Sequence, residues 1–417
     1  MNEVKSHLED GACVIATQEW IDNKLGSLVN HKNGQSFEQY FSPYGKYKVI
    51  SIGNYSKESR FIDNGVRISV DNYHSIKNFI PKKNDLTMIL NDKTSTGEII
   101  GRTLLIEHDD SFVINQRTIC LSLCTGVSPH FFFYLLNSDI TRKYIMDAAK
   151  PGTQIYINTP DVLGIPVRYP NDIEEQRRIA AALSDTDELI AALEKLIAKK
   201  LNIKQGAMQE LLAGKRRLLG FSGEWVEKTL TDCSEILQGL TYTPKNVKSH
   251  GLLVLRSSNI QNESLSFDDC VYVDCSVDEN RYVNKGDILI CVRNGSSELI
   301  GKCAFVDKNY NATFGAFMSV LRSDMADYLF QLFRSGIVQK QTRNNSSATI
   351  NQITKRDFNE ITFSLPPTIA EQIAIAAILS DMDAEIGALT IKLNKLRHIK
   401  QGMMSKLLTG RIRLIEE

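Results

Sequence analysis

The sequence predicts a mixed α/β protein built twice: two similar domains, each followed by a long helix, with the helices paired antiparallel under approximate two-fold symmetry. Three observations lead there. A helical segment occurs twice, Glu175 to Leu218 and Glu371 to Leu414, and at a constant offset of 196 residues 23 of its 44 positions are identical. Each copy carries one continuous apolar stripe. The stretches ahead of the two copies show the same strand-like and helix-like runs in the same order, as an internal duplication requires.

The helices come first because they dictate the rest. Steps of four and three residues pick out Ile179, Leu183, Thr186, Ile190, Leu193, Ile197, Lys200, Lys204, Ala207 and Leu211 in the first copy. The same steps give Ile375, Leu379, Met382, Ile386, Leu389, Leu393, Leu396, Lys400, Met403 and Leu407 in the second. This is a heptad seam, and neither copy holds a proline. A helix of roughly 40 residues is about 60 Å long, too long to be the core element of one compact domain, so it needs a partner. The other copy is the obvious one. Acids crowd the first half of each copy (Glu174, Glu175, Asp185, Asp187, Glu188; Glu371, Asp381, Asp383, Glu385) and bases the second half (Lys195, Lys199, Lys200, Lys204; Lys392, Lys395, Arg397, Lys400). Antiparallel pairing sets acid against base, and parallel pairing sets like against like. The same polarity also suits each helix's own dipole.

Ahead of the helices the two halves run in register. Residues 1–19 read as a loose arm or a short helix. Trp20, Leu25, Gly34, Val49 and Asn54 then match Trp225, Leu230, Gly239, Val254 and Asn259 at an offset of 205. Strand-like runs from Asp85 and from Asp287 lead through a polar loop to second strands, Thr103 to Glu107 and Cys303 to Asp307. A short aromatic-rich helix follows in each half, near Pro129 to Asn137 and Ala326 to Ser335. Extended runs ending in proline, Ile165 to Pro170 and Ile361 to Pro366, stop just before each long helix. The expected boundaries are 1–170 for the first domain, 171–219 for the central helix, 220–367 for the second domain and 368–417 for the last helix.

Composition narrows the function. With 42% hydrophobic and 24% charged residues among 417, the chain is an ordinary globular one with material for two domains. It has no run of 18 apolar residues and a polar N-terminal stretch, which points to a cytoplasmic protein without membrane contact. Basic and acidic side chains number 49 each, so any nucleic-acid role rests on local surfaces. The eight cysteines form no CxxC pair and the seven histidines no metal-binding spacing. There is no GxxxxGK[ST] phosphate loop, no Asn-Pro-Pro-aromatic or Asp-Pro-Pro-aromatic tetrad and no nucleotide cradle. We therefore expect no cofactor, no metal and no catalysis by this chain.

Two pairs of polar loops occupy matching places. The first pair is the loop containing Asn91, Lys93 and Thr94 with Arg102, and the loop containing Arg293, Asn294 and Ser296 with Lys302. The second is Lys150 with Thr153 and Gln154, and Arg343 with Asn344 and Asn345. Arginine pairs bidentately with guanine and the amides with adenine, whereas lysine, serine and threonine satisfy phosphates. These residues are the candidate DNA contacts. Solvated turns use the same residue types.

The pattern resembles the specificity subunits of type I restriction-modification systems (HsdS). The resemblance is carried by the doubled EQxxIAxxLSDxD (Glu175 to Asp187, Glu371 to Asp383) and the doubled IKQGxMxxLLxG (Ile203 to Gly214, Ile399 to Gly410). The leading Trp20 and Trp225, Phe221 to Trp225 after the first helix, and the Leu365-Pro-Pro lead-in add to it. The first lead-in departs from the pattern, reading Arg168-Tyr-Pro-Asn. The resemblance implies that each globular half is a target-recognition domain for one half of a bipartite, asymmetric site on double-stranded DNA. It implies that the helices set the spacing and dock two methyltransferase subunits, and that a motor-nuclease subunit joins the full complex. A coiled-coil scaffold that touches no DNA and a methyltransferase fused to a recognition module are the competing readings; the second lacks the catalytic tetrad.

Overall fold

The computed structural model of the protein describes residues 20–93, 96–150, 154–345 and 352–414, without the side chains of residues 297 and 343–345. The expectation for residues 1–19 lies outside this range. The chain packs as two units, Met1–Ala192 with Leu393–Glu417, and Leu193–Lys392. Each long helix is thus divided between them.

The first unit runs β1 (Trp20–Lys24), β2 (Val29–Asn33), β3 (Tyr47–Ile50), β4 (Arg67–Ile68), α1 (Tyr73–Ile76), β5 (Leu86–Ile89), β6 (Asn91–Asp92), β7 (Thr103–Leu105), β8 (Phe112–Ile114) and β9 (Thr118–Leu123). Then come α2 (Pro129–Leu136), α3 (Asp139–Ala148), β10 (Ile155–Tyr156), α4 (Thr159–Leu163), β11 (Pro166–Pro170) and the long helix α5 (Ile173–Leu211). Strands β2, β9, β5 and β7 form one antiparallel sheet, and β4, β3 and β8 a second, in which β3 and β8 run parallel. Strand β5 is buried along its whole length because both of its faces are covered. Leu86 and Met88 meet Phe131, Phe132 and Leu135 of α2, while Ile89 meets Ile50, Leu104 and Ile114. That alternation is the two-residue period of a strand.

The second unit repeats the plan with β12 (Val226–Thr229), α6 (Leu230–Cys233), β13 (Glu235–Gln238), β14 (Val247–Lys248), β15 (Leu252–Leu255), β16 (Ile260–Gln261), β17 (Ser264–Leu265), β18 (Val271–Val273) and β19 (Ile288–Cys291). After these come β20 (Cys303–Phe305), β21 (Ala312–Phe314), β22 (Met318–Arg322), α7 (Ala326–Arg334), α8 (Gly336–Asn345), α9 (Lys355–Glu360), β23 (Thr362–Leu365) and the long helix α10 (Ile369–Leu407). The sheet β13-β22-β19-β20 matches β2-β9-β5-β7, with Ile288 and Ile290 on one side of β19 and Leu289 and Cys291 on the other. Gly34 and Gly239 match for a steric reason. A Cβ at Gly34 would lie 1.9 Å from the Asn115 carbonyl oxygen, and one at Gly239 would lie 2.0 Å from that of Gly315.

The ends of the long helices are core elements of the units. Ile179, Ala180 and Leu183 of α5 share the first core with Leu407 and Leu408. Ile375, Ala376 and Leu379 of α10 share the second with Met208, Leu211 and Leu212. Of the remaining seam residues, Ile190, Leu193 and Leu393 are buried, whereas Ile197, Ile386, Leu389 and Leu396 are only half-buried. Two helices alone leave each seam side chain open on one flank.

Within each unit the helix segments run antiparallel with acid facing base. In the first, the fully buried Glu175 takes two bonds from Arg413, one of 2.6 Å, and Asp187 meets Lys400 at 2.7 Å. In the second, Glu371 takes bonds of 2.6 and 2.7 Å from Arg217, Asp383 meets Lys204, and Glu385 meets Lys200 at 2.6 Å. Numbers rise along one helix as they fall along the other. Arg413 lies over the Trp20 ring and Arg217 over the Trp225 ring, at 5.9 and 5.7 Å. The neighbouring glutamine closes the junction: the Gln176 amide donates to the Pro170 carbonyl and accepts from the Ser128 N–H, and Gln372 donates to the Pro366 carbonyl. The doubled motif is therefore the joint between domain and helix, written in the same residues each time.

Candidate nucleic-acid interface

In the first unit the outgoing end of β5 continues into β6, which pairs with β10 so that Asn91 faces Tyr156 and Asp92 faces Ile155. Asn91 and Asp92 are thus a short strand rather than the loop expected from sequence. Asp92 is buried, and its carboxylate accepts from the Ile99 N–H at 2.8 Å, holding the following turn. Lys150 continues the ladder, its N–H donating to the Tyr156 carbonyl at 2.8 Å. Lys93 is exposed, and Gln154 accepts from the Arg117 guanidinium at 2.5 Å. Thr94 and Thr153 lie outside the described residues. The face therefore gathers Asn91, Lys93, Lys150 and Gln154 around Arg117 and the exposed ring of Tyr156.

Arg102 does not join them. It lines a separate cavity of about 480 Å³ with Lys57, Glu58, Asn137 and Asp139 and with Lys400 and Arg411 of the C-terminal segment. Burial pushes its basicity down, against the pull of Glu58 and Asp139. The tight turn at Gly101, with φ at +73° and Ile145 packed against it, sends the following side chain to this side. Sequence adjacency to the Asn91 loop was misleading here.

The second unit offers the corresponding face with other residues. Arg293 follows β19, bridges to Gln352 and lays its guanidinium over the Phe317 ring at 5.2 Å. Phe317 is 56% exposed. The Asn294 amide donates to Ser257 at 3.3 Å and its side-chain oxygen accepts from the Ser296 N–H at 3.1 Å, a turn of the kind asparagine favours. Beside Phe317 opens a groove of about 730 Å³ lined by Tyr242, Arg256, Ser257, Ser258 and Asp269. Lys302 is half-buried at the start of the β20 hairpin arm. Helix α8 continues through Asn345, so Arg343, Asn344 and Asn345 belong to its last turn rather than to a loop.

Sequence reasoning missed Arg117, Tyr156, Phe317 and Tyr242. Arg117 and Phe317 occupy the same turn after the matching strands β8 and β21, a signal that an alignment of the two halves at an offset of 200 residues contains. Next to the first turn, Glu38 accepts from Ser36, Asn115 and Gln116, and these bonds hold its carboxyl down at about 2. It fixes the amides of Asn115 and Gln116 in front of Arg117.

The family model of the type I restriction modification DNA specificity domain matches the chain twice, over residues 17–203 and 222–398. The chain belongs to this family. Members are specificity subunits, the non-catalytic components of type I restriction-modification enzymes. The EcoKI specificity subunit of Escherichia coli K12 is 26% identical over 197 residues, covering 45% of this chain and 42% of that protein. The MjaVIII specificity subunit of Methanocaldococcus jannaschii is 30% identical over 190 residues, covering 40% of this chain and 44% of that protein. The alignments thus span less than half the length of these curated relatives. The crystal structure of the type I restriction-modification S subunit from M. genitalium shares the fold, with a TM-score of 0.63 over 94% of this chain and 97% of that one, at 17% identity. Among the described residues no helix of this chain is long and apolar enough to cross a membrane, and no group of three or more His, Cys, Asp or Glu is placed to hold a metal.

Proposed function

We propose that each globular unit reads one half of a bipartite, asymmetric site on double-stranded DNA through the face around Arg117 or Arg293. In this reading the long helices set the spacing and dock two methyltransferase subunits, motor-nuclease subunits complete the cytoplasmic complex, and the domain limits are those expected from sequence. The observation that carries it is a pair of equivalent faces, rich in exposed groups able to bond base edges and phosphates, on a twice-matched DNA specificity family. Their residues differ while the helix joints stay the same, as two different half-sites on one frame would require.

The helices support the docking half of the proposal. Packing explains why buried positions agree between the two copies, but it does not explain exposed ones. Asp185 on α5 with Lys395, Ile399 and Gln401 on α10 are exposed in the first unit; Asp381 on α10 with Lys199, Ile203 and Gln205 on α5 are exposed in the second. Each unit presents the same outward side chains. One protein binding twice would select that pattern. The decisive experiment is co-purification with type I modification subunits from the same organism, followed by mapping of the methylated adenines. A two-part asymmetric site supports the proposal, and a stable complex that methylates without sequence preference ends it.

A further inference from the structure

Building on that reading, we infer that each half-site contains a guanine read bidentately by one arginine, Arg117 in the first unit and Arg293 in the second. Gln154 and Phe317 are the positioning residues that hold the two guanidinium groups.

The equivalence of the two places is fixed by backbone bonds. The Leu90 N–H donates to the Arg117 carbonyl and the Val292 N–H to the Phe317 carbonyl, each at 2.9 Å. From the other side the Ile157 N–H donates to the Leu90 carbonyl and the Ile353 N–H to the Val292 carbonyl, at 2.9 and 2.7 Å. Position for position, Asn91 of the first unit is Arg293 of the second, and Arg117 is Phe317. The arginine has changed strands, yet each face keeps one.

Both arginines are exposed, and among the described residues neither has a carboxylate within ion-pair distance, unlike Arg67, Arg217, Arg322, Arg334 and Arg413. Among the described residues, both guanidinium groups thus keep donors for a ligand. Arg117 gives one N–H to the neutral Gln154 oxygen, which orients the fork without neutralising it. Its backbone sits at φ +68°, a left-handed conformation that side chains other than glycine or asparagine rarely adopt. Arg293 rests one flat face on Phe317, a planar support that leaves the guanidinium edge outward. A planar fork of donors on a rigid support matches the O6 and N7 acceptors of guanine, the major-groove pair that accepts two parallel bonds.

The test uses the full chain in complex with its modification subunits. Arg117→Ala and Arg293→Ala should each relax one base pair, in different half-sites, with discrimination there falling about ten- to a hundredfold. That pair should be G·C in the parent site. Replacing its guanine by 7-deazaguanine should weaken binding by the parent complex and not by the matching alanine variant. Arg293→Lys should keep the affinity for non-cognate DNA and its salt dependence while losing much of the preference for the parent base pair, because the charge remains and the planar fork does not. Phe317→Leu and Gln154→Ala should relax the same positions, and Phe317→Trp should restore the first. If the relaxed pair is A·T, or if the alanine variants weaken all DNA alike with a shallower salt dependence, the arginines touch something other than guanine and the assignment fails while DNA reading by these faces stands. If thermally stable variants leave both affinity and methylated site unchanged, the faces themselves have been misassigned.

Discussion

At the scale of single residues, the joint between domain and helix takes a buried carboxylate and an arginine from the other long-helix segment in each unit. Glu175 is fully buried against Arg413, and Glu371 against Arg217. The bonds to Glu175 and its charge keep the Arg413 guanidinium more basic than usual. Removing the arginine strands a buried carboxylate, so Arg413→Ala should cost about 3 to 5 kcal/mol. Chemical denaturation should register the loss as a lowered midpoint for the first unit, with Arg217→Ala doing the same for the second. These residues were legible as a repeat in the sequence, but their roles were not: Glu175 counted as one of several acids suited to a helix start. Only the contact with a residue more than two hundred positions away separates it from its exposed neighbour Glu174. Arg102 shows the opposite failure, since its place beside a polar loop in the chain said nothing about the turn that redirects it.

At the scale of elements, the heptad pattern was legible because helix periodicity is local, and the strands because both halves spell them in the same order. Depth of burial was not legible, because it depends on what covers each flank. Leu379 is fully buried beneath the second domain, whereas Leu389, on the same seam, is half-buried. Leu379→Ala should therefore cost about 2 to 5 kcal/mol and Leu389→Ala clearly less, a difference that paired urea titrations would resolve. Near the same end, Asp383 is opposed by burial but accepts from Arg334 and Lys204, and the balance holds its carboxyl below the usual value of 3.8. A lowered folded value means that its contribution is complete above about pH 4 and disappears as pH falls through the folded value. Asp383→Asn should accordingly be less stable than the parent at neutral pH and lose less on acidification from pH 5 to pH 3. Equal acid sensitivity in the two proteins would show that the carboxylate contributes nothing.

At the scale of the whole molecule, the proposed ruler ties the spacer of the DNA site to the length of the helices. Inserting four residues into each long helix lengthens each by about 6 Å. The methylated site should then gain spacer bases while both half-sites keep their sequences, and an unchanged spacer would remove the ruler from the proposal. A different consequence follows from the way the first unit closes. Its residues up to Ala192 are completed only by Leu393 and beyond, whereas the second unit is continuous along the chain. On the ribosome, at about 5 to 20 residues per second, the first unit waits roughly ten to forty seconds for its last piece. Throughout that interval Trp20, Ile179 and Leu183 lack the part of their cover that Leu407, Leu408, Gly410 and Arg413 supply, and the chain has meanwhile produced residues 203–218, a near copy of the missing segment 399–414. A neighbouring nascent chain offers that near copy too, so the duplication that builds the molecule also makes exchange of segments between chains its characteristic hazard of birth.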